Sequence, residues 1–132
     1  MNDKTLVLAP IGKRFSAQFI DEILALVVGY LFLLLLKEFL PSDNSAPMLA
    51  MWLVVLIYTL LADGMFKGQS IGKKILGLYV VNTKTDAPCT YTQSALRNIT
   101  YLLGFIDLIF LLGSERRRIG DRIASTKVMM AV

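Results

Sequence analysis

The chain has no histidine and a single cysteine, Cys89, among 132 residues. Histidine-based metal sites and histidine general bases are therefore excluded. An internal disulfide cannot form, and a thiolate metal site has too few ligands. Cys89 reads as an unremarkable loop residue. No nucleophile–base pair stands out either, so an enzyme is not expected, and neither is a cofactor. Acidic residues number 10 against 14 basic ones, a net charge of +4. That modest excess, clustered outside the apolar runs, suits anionic lipid headgroups rather than nucleic acid.

Hydrophobic residues make up 55% of the chain, and the mean hydropathy is +0.61. At this length the composition describes one membrane domain, residues 1–132, with little room for a separate soluble core. Three apolar segments punctuate it, at about 15–36, 48–66 and 95–113. The first is too long for a signal-peptide core and carries two acids, so it is expected to stay in the mature protein.

Phe15–Leu36 is long enough to cross a hydrocarbon core of ~30 Å as a helix. Its polar residues are Gln18, Asp21 and Glu22, with Arg14 just ahead of the run. Arg14, Gln18 and Asp21 fall on one helical stripe, and Glu22 lies beside it. A central Asp costs ~3 kcal/mol on insertion, and each large aliphatic residue returns only ~0.3–0.6. The acids therefore need partners or water, and a buried or interfacial Arg14–Asp21 pair is expected, direct or through Gln18 or a neighbouring helix. Such a group either locks helices together or lines an ion or proton path.

The second segment starts near Pro47, a good first helical position. Trp52 fits an aromatic belt, Tyr58 reads as an ordinary membrane residue, and Asp63 lies near the far end, within reach of the interface. In the following stretch Ile71, Ile75 and Leu78 share a helical face, with Lys73 and Lys74 elsewhere on the wheel. This predicts a short amphipathic helix lying among headgroups. The third segment carries Asp107, with Gly104 close by.

Ile71-Gly72-Lys73-Lys74-Ile75 and Ile119-Gly120-Asp121-Arg122-Ile123 echo each other, and each precedes a β-prone run, Leu78–Val81 or Lys127–Met130. These runs could pair as a two-stranded cytoplasmic ribbon, provided both lie on one side of the membrane. The positive-inside rule places the N-terminus and the Lys67–Lys84 region in the cytoplasm. A third crossing would then put Arg116, Arg117, Arg118, Arg122 and Lys127 outside. A segment that re-enters, broken near Gly104, avoids that conflict. The fold expected is an all-α integral membrane bundle with short interfacial helices and that ribbon.

In order along the chain, these features resemble the RDD family of small bacterial membrane proteins, named for one arginine and two aspartates. Arg14 and Asp21 match its first two signature residues. Gly68-Gln69-Ser70 through Gly72-Lys73 and Gly77 to Val80-Val81 is similar to its G-Q-T-x-G-K-x-x-x-G-x-x-V-V segment. Ala95, Arg97 and Asn98 match its A-x-R-N element. Arg118, Gly120, Asp121 and Thr126 match its closing segment, with Ser125 where glycine is usual. Asp121 is assigned as the second family aspartate, with Asp63 and Asp107 as competitors. The resemblance implies a multi-pass protein of the bacterial inner membrane and a role in transport of poorly defined ligands. Some members are associated with monovalent cation/proton exchange.

A transporter or channel-type subunit is thus the first functional expectation, with Arg14, Gln18, Asp21, Glu22, Asp63 and Asp107 as its polar path and a monovalent cation or proton as its cargo. A scaffold or lipid-binding module is the alternative. Three short segments cannot shield four carboxylates from lipid, so a homo-oligomer is expected, with Ala25, Gly29 and Gly104 offering close-contact surfaces.

Overall fold

The computed structural model describes residues 5–40, 45–104 and 109–131. Strand β1 (Leu6–Leu8) leads into helix α1 (Ile11–Lys37), which is followed by helix α2 (Ala46–Met65). Then come the short helix α3 (Ile71–Ile75) and strand β2 (Leu78–Asn82). Helix α4 (Tyr91–Asn98) continues as a 3-10 turn over Ile99–Leu103, and a second 3-10 turn covers Phe110–Leu112. Helix α5 (Ile119–Ile123) and strand β3 (Thr126–Ala131) end the chain.

Helices α1 and α2 are long and apolar enough to cross a bilayer, and only 22% and 17% of their most apolar windows are buried. The helices of a soluble core would hide such surface; these turn it outward. The stripe that α1 does bury runs through Arg14, Ala17, Asp21, Ala25, Gly29 and Leu33. Its small members let α2 approach closely. A methyl group built on Gly29 would lie 2.8 Å from Val55 Cγ2 and 3.3 Å from the Met51 carbonyl. The close-contact role expected of Ala25 and Gly29 is therefore filled inside one chain, whereas Gly104 is exposed.

The chain is mostly helical but not all-α. The two β-prone runs pair antiparallel, Leu78 opposite Met130 and Asn82 opposite Thr126. The N-terminal arm adds a third strand, Leu6 pairing with Ala131, so the sheet order is β1-β3-β2. Composition hid β1 because three residues are too few to show alternation. The sheet packs Leu78, Val80 and Val128 against Ala9, Ala17 and Cys89. Cys89 is thus a core residue. Burial raises its thiol to about 11.

The third apolar segment is not a spanning helix. Regular helix stops at Asn98, and Gly104 sits at φ +56° and ψ −124°, a combination no helix contains. Strands β2 and β3 flank this segment in sequence and share one sheet, so the chain leaves and returns on the same end of the α1–α2 hairpin. This removes the topological conflict in the basic residues.

Helix α3 departs from the expected amphipathic placement at one residue: Lys73, from the polar side of the wheel, is buried together with Gly72, while Ile75 stays 65% exposed, as a face turned toward lipid would be. Two contacts decide it. Gly72 packs directly on the α1 backbone, and Lys73 is drawn inward to Asp63.

Candidate functional site

Three carboxylates lie where the helical hairpin meets the sheet module. Asp21 projects from α1 onto the start of α3, where it accepts hydrogen bonds from the Ser70 hydroxyl and the Gly72 backbone N–H (2.8 Å). Its position exploits the orphan N–H groups that begin every helix. Tyr58 on α2 donates a third bond, at 3.1 Å. Tyr58 is therefore more than a generic membrane side chain; its hydroxyl in mid-segment is the sequence signal for that role. A Cβ at Gly72 would stand 2.2 Å from the Ala17 carbonyl, so only glycine lets α3 come close enough for this contact.

Arg14 shares the buried stripe of Asp21 but is not its ion-pair partner. Its Nη2 donates to Asp121 Oδ2 at 2.6 Å, and its Nη1 donates to the Arg116 carbonyl. Fold topology overrides helical adjacency here, because β3 carries α5 back to the start of α1. Asp121 also lies 2.8 Å from Arg97 Nη2 and accepts from the Arg118 backbone N–H at 3.2 Å. Burial alone would raise the Asp121 carboxyl. Arg97, Arg118 and Arg14 overcome that and hold it at about 2.

Asp63 is fully buried, not at an interface as its place near the helix end suggested. It pairs with Lys73, lies 3.5 Å from Arg97 Nη1, and accepts from Asn98 Nδ2 at 3.3 Å. The result is a continuous alternation of charge: Arg14, Asp121, Arg97, Asp63, Lys73. Each acid bridges two cations, which offsets part of the cost of burying all five.

Arg97 is the hub and has no exposure at all. Helix α4 delivers it. The Thr90–Gln93 capping box starts that helix, and its far side is tied to α2 by Ser94 donating to the Leu60 carbonyl (2.7 Å) and Asn98 donating to the Thr59 carbonyl (2.9 Å). Asp121 and Asp63 offset the burial of Arg97 and raise its affinity for its proton further.

The remaining motif residues are structural neighbours of this network. Gln69 donates to the Leu78 carbonyl at 2.8 Å. Gly68 (φ +86°) and Gly77 (φ +67°) turn the chain on either side of α3. Gly120 brings α5 onto α4, and Thr126 is buried at the start of β3. Gln18 and Glu22 form a separate pair at 2.8 Å, and Tyr101 donates its hydroxyl to Gln18. Asp107 lies outside the described residues. Among those residues, no cluster of metal-ligating side chains is present.

Beside the network opens a cavity of about 540 Å³. Arg14, Lys73, Arg97 and Arg118 reach it, while its walls are apolar, formed by Ile11 and Phe15 on one side and Leu111 and Leu112 on the other. A second cavity of about 10 Å³, the space of a single water, lies between Asp21 and Asp63.

The sequence model of the RDD family matches residues 8–125. The chain is also similar to an uncharacterized protein, YxaI, of Bacillus subtilis strain 168, with 27% identity over 143 residues, covering 88% of this chain and 93% of that one. No solved structure matches it.

Proposed function

This chain belongs to the RDD family, and on that premise we propose that it is a bacterial inner-membrane protein that binds an anionic ligand at the cytoplasmic boundary of the bilayer, as part of a transport-type role. The α1–α2 hairpin crosses twice. The sheet module, the N-terminus and the basic residues Lys13, Lys74, Lys84, Arg122 and Lys127 then all face the cytoplasm, as the positive-inside rule asks.

A single observation carries the choice of ligand sign. Asp21, Asp63 and Asp121 are each engaged by donors or cations of their own chain, while four cationic side chains reach one cavity. Carboxylates already committed to internal partners are poor cation carriers, because freeing one leaves a buried arginine or lysine uncompensated. Those internal ion pairs and hydrogen bonds weaken the reason for these three acids to seek partners in another subunit. A cation or proton path through Asp21 and Asp63 is the second reading, favoured by the small polar cavity between them.

Thermal stability of the detergent-solubilised protein, titrated with anions and with sodium or potassium, separates the readings. A ligand at one hundred times its Kd should stabilise by about 2.7 kcal/mol. Stabilisation by at least one anion class and none by the cations is expected. A response to sodium or potassium alone, with proton-coupled cation flux in sealed vesicles that Asp21→Asn abolishes, would establish the second reading instead.

A further inference from the structure

Resting on that anion-binding reading, we propose that the occupant of the 540 Å³ cavity is an acidic phospholipid, its phosphate on the arginines and one acyl chain between the apolar walls. The volume falls within the ~300–1,000 Å³ typical of small-molecule sites. The lining divides by chemistry as an amphiphile does. Arg14, Arg97 and Arg118 lie at the inner end, where guanidinium groups match the oxygens of a phosphate. Ile11, Phe15, Leu111 and Leu112 supply the rest.

Two observations point to an occupant rather than an idle gap. Arg97 is completely buried and lines the cavity, yet its Nε, Nη1 and Nη2 make no hydrogen bond of good geometry among the described residues. Its contacts to Asp121 and Asp63 are ion pairs that leave donor hydrogens unused. Buried donors of this kind call for an oxygen-rich partner. The second observation is the mouth. Phe15 is 64% exposed, Ile109 64% and Leu112 77%. A site for a small water-soluble anion gains nothing from an apolar rim. A site entered from the hydrocarbon side needs one, since the acyl chain must never cross water. Phe15 stands on the first turns of α1, so the rim sits at the level where headgroups meet acyl chains.

The test uses the full chain in nanodiscs of phosphatidylcholine containing a minor fraction of phosphatidylglycerol, released and weighed by native mass spectrometry. One phosphatidylglycerol retained per chain is expected, with phosphatidylcholine retained at least tenfold less. Ile11→Trp, which fills the wall, should lower that retention at least tenfold while leaving the charge network in place. Should Ile11→Trp fail to fold, Leu112→Ser alters an exposed wall residue and should lower retention several-fold. Inorganic phosphate, added to the detergent-solubilised chain, separates the two levels of the argument. Phosphate stabilising the chain as strongly as phosphatidylglycerol, with the wall variants unaffected, would overturn the lipid proposal and keep the anion site. Equal retention of phosphatidylcholine would overturn the lipid proposal too. Response to neither phosphate nor phosphatidylglycerol would overturn both.

Discussion

Val80 and Val128 face each other at the centre of the β2–β3 ladder, and the chain on either side of that pair repeats. Eight residues before Val80 stands Gly72, and eight before Val128 stands Gly120. The first packs on the Ala17 carbonyl of α1, the second on the Arg97 carbonyl of α4. The next residue in each unit, Lys73 or Asp121, is a buried charge, of opposite sign in the two units. Three residues before each valine the backbone enters the left-handed region, at Gly77 (φ +67°) and Ser125 (φ +52°). Two short helix–strand units thus meet about a local two-fold axis, and their opposite charges enter one network.

The glycine contacts make the first prediction. A methyl at Gly120 would stand 1.9 Å from the Arg97 carbonyl, and one at Gly72 2.2 Å from that of Ala17. Neither helix backbone can yield locally without moving the charges it carries. Gly72→Ala and Gly120→Ala should each cost about 1–3 kcal/mol or more, read as a lower Tm in one fixed detergent. Gly12→Ala, where a methyl meets nothing within 4 Å, is the control and should leave Tm unchanged within error.

Ser125 makes the opposite prediction. It holds a left-handed conformation that its counterpart gives to glycine, and a β-carbon there costs roughly 1 kcal/mol. Ser125→Gly should raise stability, by a fraction of that amount once the looser unfolded chain is counted. Gly77→Ala should lower it by about 1 kcal/mol. A Tm shift of the wrong sign in either variant would show that the two turns are not equivalent.

Asp121 gives a pH prediction. Its folded-state carboxyl titrates at about 2, below its ordinary value of 3.8. A depressed carboxyl contributes stability that is present above the unfolded value and lost as pH falls through the folded one. Stability should therefore decline between about pH 4 and pH 2, by roughly 2–3 kcal/mol from this group. Asp121→Asn should be less stable than the parent at pH 6, and the gap should narrow toward pH 2. A gap independent of pH would mean that the carboxylate charge is not what stabilises the fold.

Much of this arrangement was legible from residues alone. Apolar length marked α1 and α2 to within a few positions, and the I-G-x-basic-I echo marked the helix–strand units. The partners were not legible. Arg14 and Asp21 share a stripe, which suggests a pair, yet Asp121 arrives from 107 positions away because β3 lies between β1 and β2. Asp63 looks like a helix-end acid until α4 is seen to lie across α2 and cover it. Lys73 sits on the nominal polar face of its helix, but a five-residue helix has no polar face once glycine docks it on another backbone. Each miss is a long-range contact that no local periodicity encodes.

The last prediction concerns sidedness. Lys84 follows β2 and Lys127 lies in β3; because Val81 pairs with Lys127, the two positions belong to one side of any membrane the hairpin crosses. Cys89 complicates a cysteine test only slightly. It is 3% exposed, and burial raises its thiol to about 11, so it should react at least tenfold more slowly than an exposed cysteine. In a Cys89→Ser background, Lys84→Cys and Lys127→Cys should both resist a membrane-impermeant maleimide added to intact cells and both label in inverted vesicles. Ser45→Cys, at the opposite end of the hairpin, should do the reverse. Labelling of Lys84→Cys and Lys127→Cys from opposite sides would require the sheet to come apart. Labelling of both from outside would keep the fold and invert the orientation drawn from the basic residues.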